Sequence, residues 1–192
     1  MNETVDWDDL VETGGLYYKK FTDIPFSGEV TGTDQGRLKD GKEEGPWVGY
    51  WDNGKLWGKG PYKDGKRDGP WVSYHDNGQL WYKGAYRDGK EDGPWVSYYS
   101  NGWLEYEGAY KTGEPDGPWV SYHENGQLRY EGSYRDGKED GPWIAYHDDG
   151  KLKYKGSYKD RKDDGPWLRY WENGRLWFQG SYKDGEPDGP WV

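Results

Sequence analysis

GPWVSYHDNGQLWYKGAYRDGKED, residues 69–92, is followed at once by GPWVSYYSNGWLEYEGAYKTGEPD, residues 93–116. The triplet Gly-Pro-Trp begins at residues 45, 69, 93, 117, 141, 165 and 189, always 24 residues apart. A fixed period of this size is the mark of a repeat array, in which each unit buries its apolar face on its neighbours. Within the phrase the punctuation is that of hairpins. Asn77-Gly78 separates two aromatic runs that alternate with period two, and Asn-Gly is the strongest short hairpin signal because a type I′ turn needs positive φ at both central residues. Asp88-Gly89 marks a second turn. Two strands per repeat predict about twelve strands in a meander, and no window carries helical periodicity.

A two-residue turn at Asn77-Gly78 predicts that His75 faces Leu80, Ser73 faces Tyr82 and Trp71 faces Gly84. A large ring opposite a bare glycine backbone is a known sheet device. The same rule at Asp88-Gly89 sets Trp95 opposite Tyr82. One face then carries Trp71, Ser73, His75, Leu80, Tyr82, Gly84 and Tyr86 and is the expected core face. The other carries Val72, Tyr74, Trp81, Lys83 and Ala85. The structural repeat positions are accordingly Trp71, Tyr74, Gly78, Leu80, Gly84 and Tyr86.

Hydrophobic residues make up only 31% of the 192 residues, a level that by itself suggests disorder. The 14 Trp and 19 Tyr argue the other way, since each buried aromatic removes about 150–250 Å² from water. The formal charge of −10 counts against a nucleic-acid interface, which needs a basic face, and against affinity for an anionic membrane. It favours a basic partner. The absence of Cys excludes disulfides, thiolate metal sites and cysteine nucleophiles. Met1-Asn-Glu-Thr-Val-Asp has no signal-peptide character, which gives a cytoplasmic location by default and leaves a processed secreted or lipoprotein form open.

Along the chain, residues 1–14 read as an acidic segment with flexible character. Residues 15–44 read as a degenerate capping repeat containing Tyr17, Tyr18, Phe21, Pro25 and Phe26. Residues 45–188 are six full repeats, and 189–192 a closing strand. That last strand is expected either to cap the array or to leave an edge for end-to-end self-association.

The phrase with Gly-Pro-Trp, a Tyr three residues on, Asn-Gly, and then Leu, Gly, Tyr and Asp-Gly in order resembles the MORN repeat, in the variant found in bacterial proteins of the YwqK antitoxin family. The match runs over residues 36–192. The resemblance implies an all-β fold, an elongated, twisted, single-layer antiparallel sheet of hairpins. It also implies a non-catalytic role in protein–protein contact, as a scaffold or as the toxin-neutralising component of a toxin–antitoxin pair; with the net charge of −10 the expected toxin partner is basic.

No chemistry of an enzyme is visible, and no cofactor is expected. His75, His123 and His147 share one repeat position, but equivalent residues two strands apart stand roughly 9–10 Å from each other, too far to share a zinc ion. The acidic turns such as Asp88–Asp92 lack the spacing of a calcium loop. Positions that repeat are explained by folding, so binding is expected where repeats differ. One position holds Trp57, Trp81, Glu105, Arg129, Lys153 and Trp177; two residues on stand Lys59 and Lys83. These eight residues form the expected partner-binding face, and Trp is the residue most enriched in interface hot spots. The rows of Trp and Tyr leave a second reading open: a ligand-binding module for a cell-wall carbohydrate or a choline-like cation.

Overall fold

The computed structural model describes residues 3–190. They form two compact units, Met1–Glu91 and Asp92–Val192. The fold is all-β, a mostly antiparallel sheet of repeated hairpins; among the described residues the helical content is the single 3₁₀ turn Trp7–Asp9. In the first unit Gly28–Thr31, Asp34–Lys39, Lys42–Tyr50, Leu56–Lys63, Gly69–Tyr74 and Leu80–Arg87 pair in antiparallel succession. In the second, Gly93–Tyr98, Leu104–Lys111, Gly117–Tyr122, Leu128–Arg135, Gly141–Tyr146, Leu152–Lys159, Gly165–Tyr170 and Leu176–Lys183 do the same.

The Asn-Gly turn is not the two-residue type I′ turn that the dipeptide suggests. Gly78 has φ +90°, while Asn77 is not in the left-handed region. The closing pair is His75 with Gln79: the Gln79 carbonyl accepts from His75 N at 2.9 Å, and the His75 carbonyl accepts from Gly78 N at 2.8 Å. This is a three-residue loop whose last residue is left-handed. The Asn77 side chain selects it, since its Oδ1 accepts the Gln79 amide at 2.9 Å, a local bond that competes with the type I′ geometry. All six repeats show the same Asn or Asp bond to the residue two positions on.

The longer loop shifts the register by one, and a β-bulge shifts it back. Leu80 pairs with Tyr74 rather than His75, whereas Tyr82 still pairs with Ser73 and Gly84 with Trp71. The unpaired residue is Trp81. The expected sides of Leu80 and Trp81 are therefore exchanged: Leu80 shares a face with Tyr74, and the Trp81 ring lies 5.2 Å from that of Tyr82. The bulge recurs in every repeat.

The second turn is type I′ as expected, with φ +51° at Asp88 and +81° at Gly89. Beyond it the register differs by two residues. The rule that sets Trp95 opposite Tyr82 also sets Trp71 opposite Gly58 and Trp119 opposite Tyr106; in the structure Ser73 is opposite Gly58 and Ser121 opposite Tyr106. Gly-Pro makes the difference. Gly69 has φ +113° and Pro70 has no N–H to donate to the ladder, so these two residues loop out of the pairing with Leu56–Lys63 while staying opposite Tyr86 and Ala85 on the next strand. An even shift leaves the faces unchanged.

The shift also decides where the tryptophans go. Trp71 is the Cα partner of Gly84, yet its indole leans the other way, over Gly60, where any Cβ would collide with the ring. Trp47 covers Gly36, Trp143 covers Gly132 and Trp167 covers Gly156 in the same manner. The indole N–H of Trp71 donates to the Pro61 carbonyl at 2.9 Å, and Trp143 and Trp167 donate to Ser133 and Ser157. Each Trp meets Tyr rings edge-on: Trp71 meets Tyr62 at 5.2 Å and Tyr86 at 6.4 Å; Trp143 meets Tyr134 at 5.2 Å and Tyr158 at 5.9 Å. Edge-to-face pairs of this kind contribute about 0.5–1.5 kcal/mol beyond area burial.

Residues 3–14 are built into the fold. Glu3–Asp6 pairs in parallel with Gly28–Thr31, and Leu10–Thr13 forms a hairpin with Leu16–Lys19. Val5 anchors the segment in an aliphatic cluster with Phe26, Val30, Leu38 and Trp47, against which Trp7, Leu10 and Tyr17 pack. At the other end, Gly189 lies in a bend and Pro190 is in no strand. The remainder of the expected closing strand, Trp191 and Val192, lies outside the described residues.

Candidate functional site

The eight residues expected to form one binding face do not share one. Lys59 and Lys83 are opposite Val48 and Val72, on the side of the sheet that carries the prolines. With Pro46, Pro61 and Pro70 they line an open, mainly apolar groove of about 650 Å³. The other six, Trp57, Trp81, Glu105, Arg129, Lys153 and Trp177, are the bulge residues. A bulge sets its extra side chain beside the next one on the same side of the strand and re-aims it, so these six stand on the aromatic face with the buried tryptophans. Trp57 stacks on Trp71 with ring centroids 6.4 Å apart. The Glu105 carboxylate accepts from the buried Ser97 hydroxyl at 2.7 Å. The Arg129 guanidinium lies 5.8 Å from the Tyr130 ring, and Trp177 lies 5.1 Å from Trp171. The sequence signal for this placement was the bulge, which the strict period-two pattern conceals.

The position shared by the histidines has a structural role. Its ring carries a polar atom to the same backbone carbonyl one repeat on: Trp51 Nε1 to Tyr74 at 3.2 Å, Tyr99 Oη to Tyr122 at 2.9 Å, His123 Nε2 to Tyr146 at 3.1 Å and His147 Nε2 to Tyr170 at 3.3 Å. Trp, Tyr and His are interchangeable here because each presents a donor at about the same reach. Among the described residues no three His, Asp or Glu gather as metal ligands. The acidic turns are likewise accounted for: Asp68, Asp116 and Asp164 accept the amide of the turn residue 20 positions on.

Besides Arg129, two arginines outside the bulge position lie on the aromatic face. In the first unit the Arg67 guanidinium lies 4.3 Å from the Trp71 ring and 5.8 Å from Trp57, and donates to the hydroxyls of Tyr82 at 2.7 Å and Tyr86 at 3.2 Å. Burial disfavours its charge, but hydrogen bonding and proximity to Tyr62, Tyr82 and Tyr86 outweigh that and push its pKa above the ordinary range. In the second unit Arg169 lies 5.0 Å from the Trp167 ring, close to Phe178 and Tyr182, and pairs with Asp163 at 2.6 Å. Burial raises the Asp163 pKa and Arg169 opposes the shift. Next to it opens a groove of about 680 Å³, lined by His147, Lys153, Tyr154, Trp167, Trp171, Glu172 and Trp177. Trp171 and Trp177 are each more than half exposed at its rim.

The sequence pattern of the MORN repeat variant matches six spans, residues 43–64, 67–88, 91–112, 115–136, 139–160 and 163–184. Each begins two residues before Gly-Pro-Trp, and together they cover more than half of the chain. No curated protein matches the chain. Among the described residues no helix is long and apolar enough to cross a membrane. MORN repeats are interaction modules rather than a family of enzymes, and this chain, with six of them, belongs to the MORN repeat variant family.

Proposed function

We propose that the protein is a docking module that holds a basic protein through its aromatic face, and that the bulge residues choose the partner. The observation that carries this reading is the coincidence of variation and geometry. In six repeats of nearly constant sequence, the position that runs from Trp to Glu, Arg and Lys is the bulge, and it projects beside the constant tryptophans. Arg67 and Arg169 support the sign of the partner's charge, because aromatic rings with nearby hydroxyls or carboxylates already hold a guanidinium in each unit. The net charge of −10 favours the same kind of partner by steering. A basic toxin, neutralised by capture, is the finer form of this reading.

Co-expression tests it. A neighbouring gene product that arrests growth alone and is silenced by this chain supports the toxin-capture form. The double variant Trp171→Ala, Trp177→Ala should weaken complex formation at least about tenfold, as loss of interface aromatics does. Lys59→Ala with Lys83→Ala, on the opposite side, should leave it unchanged. The reverse ranking would put the docking surface on the proline side.

A further inference from the structure

A second feature stands apart from the docking groove and lies wholly in the first unit. A partly enclosed cavity of about 260 Å³ is walled by Trp7, Tyr17, Trp47, Trp57 and Tyr62, with the carboxyls of Asp34 and Glu43 on its lining. The rings stand as a box: Trp47 meets Trp7 at 77° and Tyr62 at 75°, both with centroids 5.9 Å apart. Tyr17 closes on Trp7 at 5.1 Å.

Departures from the repeat open this box. Twenty-four residues apart, the position of Asp34 is Gly58 and then Tyr82, Tyr106, Tyr130 and Tyr154. Tyr106 and Tyr130 fill their places by packing on Trp119 and Trp143. At the corresponding place beside Trp47 a carboxylate replaces the ring, leaving space and a negative charge together. Gly49 stands where later repeats have Ser73, Ser97 and Ser121, and a Cβ there would collide with the Trp57 indole and crowd Asp34. Glu43 holds the place that Arg67 takes one repeat on.

Neither Asp34 nor Glu43 is in an ion pair among the described residues. Burial raises the pKa of both, opposed at Asp34 by the Trp57 N–H and at Glu43 by its own backbone N–H and the Tyr17 hydroxyl.

We propose that this box binds the alkylammonium head of a small organic cation, with the charge met by Asp34 and Glu43 and the alkyl carbons laid on the rings. Ring faces attract a desolvated cation, and two half-buried carboxylates supply acceptors for its N–H groups. The chemistry is shared by a free amine and by a lysine side chain of a bound chain.

Titration of the full chain with n-butylammonium, followed by Trp fluorescence and calorimetry, tests the proposal, with n-butanol as the neutral probe. Saturable binding of the ammonium, at least about tenfold tighter than the alcohol, is expected. Asp34→Asn and Glu43→Gln should each weaken it about tenfold. Both are near-isosteric, and their thermal unfolding shows whether the fold is kept. Trp177→Ala, which removes part of the docking groove, should leave it unchanged, so failure of the docking reading is distinguishable from failure here. A lysine tripeptide binding as tightly as n-butylammonium assigns the site to a side chain; weaker binding assigns it to a free amine. No binding, equal binding of n-butanol, or indifference to both carboxyl substitutions would overturn the proposal.

Discussion

Among the described residues, the buried side chains of Met1–Glu91 are mixed, with Val5, Phe26, Val30 and Leu38 beside the repeat residues Trp47, Trp71, Ser73 and Tyr82; in Asp92–Val192 they are Trp95, Trp119, Trp143 and Trp167 with two serines and one alanine. The second unit therefore stands on one buried Trp per repeat. That suffices where a Trp touches Tyr rings on both sides, as Trp119 does with Tyr110 and Tyr134 and Trp143 with Tyr134 and Tyr158. A repeat at an end has a neighbour on one side only and must find other apolar area. The aliphatic cluster of the first unit is that supply. It brings a parallel strand and a separate hairpin with it, and in replacing repeat rings it leaves the acid-lined cavity. The repeat phrase is thus sufficient for the second unit, whereas the first repeat of the first unit is completed by residues from outside the phrase.

Removing one ring from the second unit should do the most damage. Trp143→Ala should cost about 3–5 kcal/mol, the range for a large buried aromatic, and should also loosen the repeats next to it. Trp177→Ala, at an exposed site, should cost less than about 0.5 kcal/mol. Urea unfolding monitored by far-ultraviolet dichroism measures both.

Next in size is the glycine beneath the ring. Gly132→Val should cost about 2–3 kcal/mol, because the Trp143 ring occupies the space a side chain would need and cannot move without breaking its bond to Ser133. Gly60→Val should behave alike in the first unit, under Trp71. A small cost at either site would show that the indole does not rest on glycine.

The carboxyl pair of the first unit gives a smaller effect with a defined sign. A raised folded-state pKa means that the charged form is penalised on folding. The penalty is absent below the ordinary values, 3.8 for Asp34 and 4.5 for Glu43, grows as pH rises through the raised pKa values and is constant above them. Asp34→Asn and Glu43→Gln should therefore raise the midpoint of thermal unfolding at pH 7, and the gain should fade on acidification to the ordinary carboxyl range. A gain that grows toward acid pH would show that the carboxylates stabilise the fold.

The smallest effect tests a single turn. Arg161 has φ +67° where its repeat equivalents are glycines, and its side chain reaches the Gly137 carbonyl and Glu139. Arg161→Gly relieves the left-handed backbone but loses exposed contacts, for a net gain of about 0.5 kcal/mol.

The period of 24, the hairpins, the Asp-Gly turns and the role of Trp, Tyr and Gly were legible in the sequence, because each follows from local pattern repeated six times. The far register of the first hairpin, Trp71 with Gly84, was legible through two features that cancel. A third loop residue shifts the strands by one, and the bulge at Trp81 shifts them back. That cancellation hid the bulge, and with it the side of the sheet on which the variable residues stand. The direction of the indole was hidden too, since Trp71 has a glycine on both neighbouring strands and only the loop-out at Gly69-Pro70 brings Gly60 under the ring. The box around Asp34 was illegible for a different reason: it is built where the repeat fails, from residues whose proximity depends on the N-terminal strand and hairpin.

The proposed docking role puts a basic partner on the aromatic face, among the bulge residues. The most direct measurement is a nitrogen–proton correlation spectrum of the indole groups during titration with an arginine-rich peptide. Trp171 and Trp177 should shift first and saturably, an aspartate-rich peptide of equal length should leave them in place, and added salt should reverse the shifts. Shifts confined to backbone amides around Val48, Val72 and the flanking prolines, or equal responses to both peptides, would contradict it.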